Sequence, residues 1–176
     1  MSRINRLMEF IAISSLVLLI ISCGYRFTPA GEHIGTRVQK VFVDTFSNRT
    51  SEAYIENYLR NAFIDEFIRG RRFKVVGRPE MADAVLKGNI KSLTTSRLSY
   101  DINDIAVEER VTMTVEIVFE EQDTNETIWS ERNIAGFEDY QSTTDQLTSE
   151  NNRKNALIKL ANDTAEKAYR LMMSGF

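Results

Sequence analysis

Arg110-Val111-Thr112-Met113-Thr114-Val115-Glu116-Ile117-Val118-Phe119-Glu120 alternates from end to end. Val111, Met113, Val115, Ile117 and Phe119 fall on one side, and Arg110, Thr112, Thr114, Glu116, Val118 and Glu120 on the other. Successive side chains of a strand point to opposite faces, so this run predicts a strand with one buried and one largely wet face. Its neighbours continue the pattern. Ala84 to Ile90 opens a long strand with Leu86 and Ile90 on one side and Lys87, Asn89 and Lys91 on the other; Ser92 to Tyr100 extends it, and Asp101 to Asp104 supplies turn residues. Downstream, Asp123-Thr124-Asn125 turns into Thr127 to Phe137, carrying Trp129, Ile134 and Phe137, before a loop from Glu138 to Gln146. Three consecutive strands joined this way form an antiparallel meander.

Two helical patterns are available to cover the apolar face. In the first, Ile55, Tyr58, Leu59, Ala62 and Phe63 recur at helical spacing, Ser47 to Ser51 offers N-cap oxygens, and Gly70 is the expected stop. Its apolar arc widens at the end, so Ile64 and Ile68 either touch loops or a second helix, or form a partner-binding surface. In the second, roughly Thr148 to Met173, Leu157, Leu160, Ala161, Thr164, Ala168, Leu171 and Met172 share a stripe. Val38 to Phe46, with Val41, Phe42 and Val43 in a row, reads as a central strand, and Phe73 to Val76 as a short one. The expected fold is α+β: a two-layer α/β sandwich with a mixed four- to five-stranded sheet, element order β-α-β-β-β-β-α, and both helices on one face.

The composition narrows the function classes. A net charge of −3 argues against a nucleic-acid binder, which is usually basic. The single histidine, His33, sits in the loop-like Gly31-Glu32-His33-Ile34-Gly35, and the single cysteine cannot form an internal disulfide or a thiolate metal cluster, so no cofactor and no metal site is implied. Glu108, Glu109, Glu120 and Glu121 are the paired carboxylates an enzyme reading would need; they flank strand ends, where exposed acids are usual, and nothing sets two across a pocket.

The N-terminus has the form of a signal peptide. Arg3 and Arg6 precede an apolar run from Phe10 to Ile21 that falls short of the roughly 20 residues a spanning helix needs. Ile20-Ile21-Ser22-Cys23 resembles the lipobox of bacterial lipoproteins. The resemblance implies a diacylglyceryl thioether on Cys23, cleavage after Ser22 and acylation of the new N-terminus. A thiolate is the suitable side-chain nucleophile for that alkyl transfer, and several acyl chains exceed what stable anchoring requires. Gly24 stands where many inner-membrane-retained lipoproteins carry Asp, which implies the outer membrane, lipid-anchored in its periplasmic leaflet. The expected organisation is 1-22 signal peptide, 23-37 lipidated tether rich in turn formers, and 38-176 a single α/β domain.

Taken in order, Cys23-Gly24-Tyr25-Arg26-Phe27, Val41 to Thr50, the helix ending near Arg71-Arg72-Phe73-Lys74-Val75-Val76, Ala82 to Ile90, Leu98-Ser99-Tyr100-Asp101, Ile128-Trp129-Ser130-Glu131 and the closing helix resemble the lipopolysaccharide-assembly lipoprotein family LptE over nearly the whole mature chain. The resemblance implies a non-enzymatic protein that partners the LptD β-barrel as a plug and assembly factor and helps deliver lipopolysaccharide to the outer leaflet. Lipid A phosphates would then need cations on a loop or strand end. Arg97, beside the expected hairpin tip, is the first candidate, with Arg71, Arg72 and Lys74 second; the alternative for these three is solvated charge beside a helix C-terminus. Val41 to Thr50 also resembles the opening of envelope lipoproteins that bind a peptidoglycan synthase or form a secretion assembly, and that adaptor role is the competing expectation.

Overall fold

The computed structural model describes residues 34–100 and 106–175. The signal peptide 1-22, the lipidation site Cys23, most of the 23-37 tether and the turn expected at 101–104 lie outside the described residues.

Among the described residues six strands form one mixed sheet: β1 (Lys40–Val43), β2 (Ser47–Asn48), β3 (Lys74–Val75), β4 (Ala84–Tyr100), β5 (Ala106–Glu121) and β6 (Thr127–Gln141). Two helices, α1 (Ile55–Gly70) and α2 (Gln146–Ser174), complete it among the described residues, with a short 3-10 turn at Pro79–Met81. The strand order is β3-β1-β4-β5-β6, with β2 adding to β4 beyond the end of β1. β1 runs parallel to β3 and β4, as expected for a central strand, and β4-β5-β6 is the antiparallel meander.

The alternation in β5 is realised in full: Val111, Met113, Val115, Ile117 and Phe119 are buried, while Thr112, Thr114, Glu116, Val118 and Glu120 keep partial contact with water. The buried row joins Leu86 and Ile90 of β4, Ile55, Leu59, Phe63 and Phe67 of α1, and Leu157, Leu160 and Ala168 of α2 in one core. Both helices therefore cover the same sheet face. Phe67, Phe73, Phe119 and Tyr169 interlock there, mostly edge to face, with centroids 5.6–6.2 Å apart. Glu52 pairs with Arg153 and Gly70 abuts Tyr169, so α1 and α2 run side by side in the same direction.

Some local expectations change. Tyr54, with φ 69°, is the α1 N-cap and makes no side-chain capping bond. The short oxygens upstream are used in the turn itself, since Asn48 Oδ1 accepts from the Thr50 amide and Thr50 Oγ1 from the Glu52 amide. Gly70 is the last helical residue, and Arg71 supplies the left-handed cap at φ 54°. A Cβ on Gly70 would meet Tyr169 Oη at 2.1 Å, so close approach of the ring is what requires glycine there. β6 continues to Gln141, into the stretch expected to be a loop, because its later residues stay paired with Glu108 to Val111.

Candidate functional site

The basic residues singled out in the sequence fall at opposite ends of the sheet. Lys74 pairs with Lys40 in β3-β1, level with the start of β4, whereas Arg97 lies in the far half of β4. Thirteen strand residues at about 3.3 Å each separate these levels, roughly 40 Å. Arg71, Lys74 and Arg97 are exposed. Arg72 is half-buried: its guanidinium donates to the Val38 carbonyl (3.2 Å) and the Ile34 carbonyl (3.3 Å) and lies 4.9 Å from the Phe73 ring centroid. It therefore ties the entering chain to the sheet. On α1, Ile64 packs partly against the core and Ile68 is 59% exposed.

The entry end has a second clamp. One Asp83 carboxylate oxygen accepts from the main-chain amides of Gln39 (2.9 Å) and Lys40 (2.7 Å), and these bonds hold its pKa below the ordinary carboxylate value. Arg37 pairs with Glu121 nearby at 3.6 Å.

At the far end, two helix-side carboxylates are each partnered. Arg153 of α2 forks onto Glu52 at 2.9 and 2.6 Å, and the Tyr140 hydroxyl donates to Glu109. Burial, then Glu109, pushes the Tyr140 pKa up to about 12. On the open face Arg110 forks onto Asp139 at 2.6 and 2.8 Å and lies 4.1 Å from the centroid of Phe137, which is 56% exposed. That bond raises the Arg110 pKa and lowers that of Asp139. A register shift between Val115 and Ile117 sets Trp129 and Ile134 on the helix side and Phe137 on the open face.

The carboxylates considered for an enzyme are held apart on one strand. Glu108 and Glu109 lie near one end of β5, and Glu120 and Glu121 at the other, where Glu120 pairs with Lys87. Among the described residues no cluster of three or more His, Cys, Asp or Glu could hold a metal ion, and no helix is long and apolar enough to cross a membrane.

Residues 38–172 match the profile of the family LptE, described as lipopolysaccharide-assembly. The chain belongs to the LptE family. Its role is accordingly in lipopolysaccharide assembly, and the LptE assignment covers every strand and both helices save the last residues of α2. Solved structures share the fold. A Caulobacter crescentus protein described as a lipoprotein aligns with TM-score 0.54 at 13% identity, covering 74% of this chain and 89% of its own. An uncharacterized lipoprotein B of Nitrosomonas europaea gives 0.51 at 16%, with 78% and 84% covered. The rare lipoprotein B of Shewanella oneidensis gives 0.50 at 19%, with 75% and 96% covered. No curated protein sequence matches the chain.

Proposed function

We propose that this LptE-family chain is an outer-membrane lipoprotein, anchored by lipid on Cys23 once residues 1-22 are removed. It partners an LptD-like β-barrel as plug and assembly factor and helps deliver lipopolysaccharide to the outer leaflet. The family match over residues 38–172 carries this reading. The sheet face that no described element covers supports it, because Lys87, Thr112, Thr114, Glu116, Ser130 and Asp139 make that face polar, and the lumen of a transmembrane barrel is polar.

Lipopolysaccharide phosphates have two basic ends to choose from, Arg97 at one and Arg71 with Lys74 at the other; Arg72 joins the latter only by releasing its two carbonyls. Charge reversal at each end in turn, read by binding of purified lipopolysaccharide, assigns the contact. Ile68, with Ile64 behind it, is the apolar patch offered to a partner.

The deciding experiment is depletion. Surface lipopolysaccharide and mature barrel are expected to fall together, and normal levels of both would leave the shared fold without the shared role. Cys23→Ala is expected to abolish acyl labelling and processing; unchanged labelling would refute the anchor.

A further inference from the structure

The two edges of the meander are treated differently. Along the outer edge of β6, α2 reaches over and uses the free carbonyls: Lys167 donates to Ala135 and Asn152 donates to Gln141, both at 2.9 Å. Along the outer edge of β4, β1 and β2 supply partners as far as Ile90, whose carbonyl accepts from the Arg49 amide at 3.1 Å. The chain then leaves for α1. Beyond that point no strand pairs this edge among the described residues.

The uncovered window is regular. From Ser92 to Arg97 the ladder with β5 runs unbroken, opposite Thr114 to Glu109, and register shifts bracket it between Ile90 and Ser92 and between Arg97 and Ser99. Shifts of this kind end pairing, so they set the limits of any strand added here. Ser92, Thr94, Thr95, Ser96 and Arg97 are exposed and Leu93 half-buried. Native sheets usually blunt such an edge, and one left open is a template for a further strand.

We infer that Ser92 to Arg97 is a β-addition site for an extended segment of a partner protein that carries an acidic residue opposite Arg97. Charge selects this occupant over a second copy of the chain. Arg97 is the one charged residue in the window, and it forms no ion pair among the described residues: Glu109, opposite it in β5, accepts from the Tyr140 hydroxyl instead, and Lys91, just outside, directs its ammonium across the sheet to Asn133 Oδ1 at 3.0 Å. Leu93, Thr95 and Arg97 face the helix side, since Leu93 and Thr95 pair with buried Met113 and Val111. Two copies paired antiparallel must match faces. Within the window a register centred on Thr95 sets Arg97 against Leu93, and one centred on Ser96 sets it against Thr95, so neither gives it an acid. Arg97 engaged in this way leaves phosphate recognition to Arg71 and Lys74. The inference does not depend on the partner being a barrel.

The test uses the full-length lipidated protein in cells, with a benzoylphenylalanine photocrosslinker placed singly at Thr94, Thr95 and Ser96, and the crosslinked peptides sequenced. Adducts are expected on one segment of one partner, moving by one residue along it for each step along β4, with an Asp or Glu at the place facing Arg97. Arg97→Glu is expected to cut the yield from Thr95 by roughly fivefold, and reversing the partner's acid to Lys to restore it. Adducts on lipopolysaccharide or lipid, adducts on a second copy, adducts scattered over a partner's surface, or none above a control crosslinker at Glu126 would each overturn the inference.

Discussion

At Gly88 an added Cβ would lie 2.2 Å from a ring carbon of Phe46 and 3.2 Å from the Glu116 carbonyl, and Phe46 is itself stacked on Phe63 at 5.4 Å. The ring cannot retreat without disturbing its neighbour, so Gly88→Ala is expected to cost about 1–3 kcal/mol, read as a lower urea midpoint with an unchanged slope. Gly88→Ala combined with Phe46→Leu is expected to recover part of that loss. Asp83 makes a pH prediction. Its pKa is depressed by the Gln39 and Lys40 amides, so its contribution is complete above the unfolded value near 3.8 and fades as pH falls through the lower folded value. Asp83→Asn is expected to lose about 1 kcal/mol at neutral pH, with the gap to the parent closing in acid, as followed by thermal melts across pH.

Among the elements, α2 is the helix whose start is chemically defined: Asp145 accepts from the Thr148 amide at 2.9 Å, and Gly175 closes the other end with φ 78°. Asp145→Ala is expected to fray the first turn, visible as faster amide exchange at Leu147 to Ser149. The α2 stripe from Leu157 to Met172 was legible because a long helix repeats its pattern several times. α1 was legible in its body but not at its start, where Asn48 and Thr50 use their side-chain oxygens in a turn before Tyr54 opens the helix. The open-face position of Phe137 was hidden for a related reason. A single register shift reverses the two-residue alternation, and nothing in Thr127 to Phe137 marks where it falls.

For the whole molecule, protection is expected to be uneven. Amide exchange should be slowest where both helices press on the sheet, at Leu86 to Ile90 and Val111 to Phe119, and faster from Thr94 to Ser99; equal protection along β4 would contradict the open edge. The layered fold was readable from β5 outward because a one-faced strand leaves few ways to bury two amphipathic helices. The separation of the basic residues was not, since Arg97 and Lys74 acquire their roughly 40 Å spacing only once β1 pairs parallel to both β3 and β4. The same pairing has a mechanical consequence. The N-terminal side of the domain is held by Arg72 on the Ile34 and Val38 carbonyls, by Asp83 on the Gln39 and Lys40 amides, and by a strand flanked on both sides. A pull along the axis of β1 loads these bonds together in shear rather than one after another, so the domain can be held by its leading end without being unzipped.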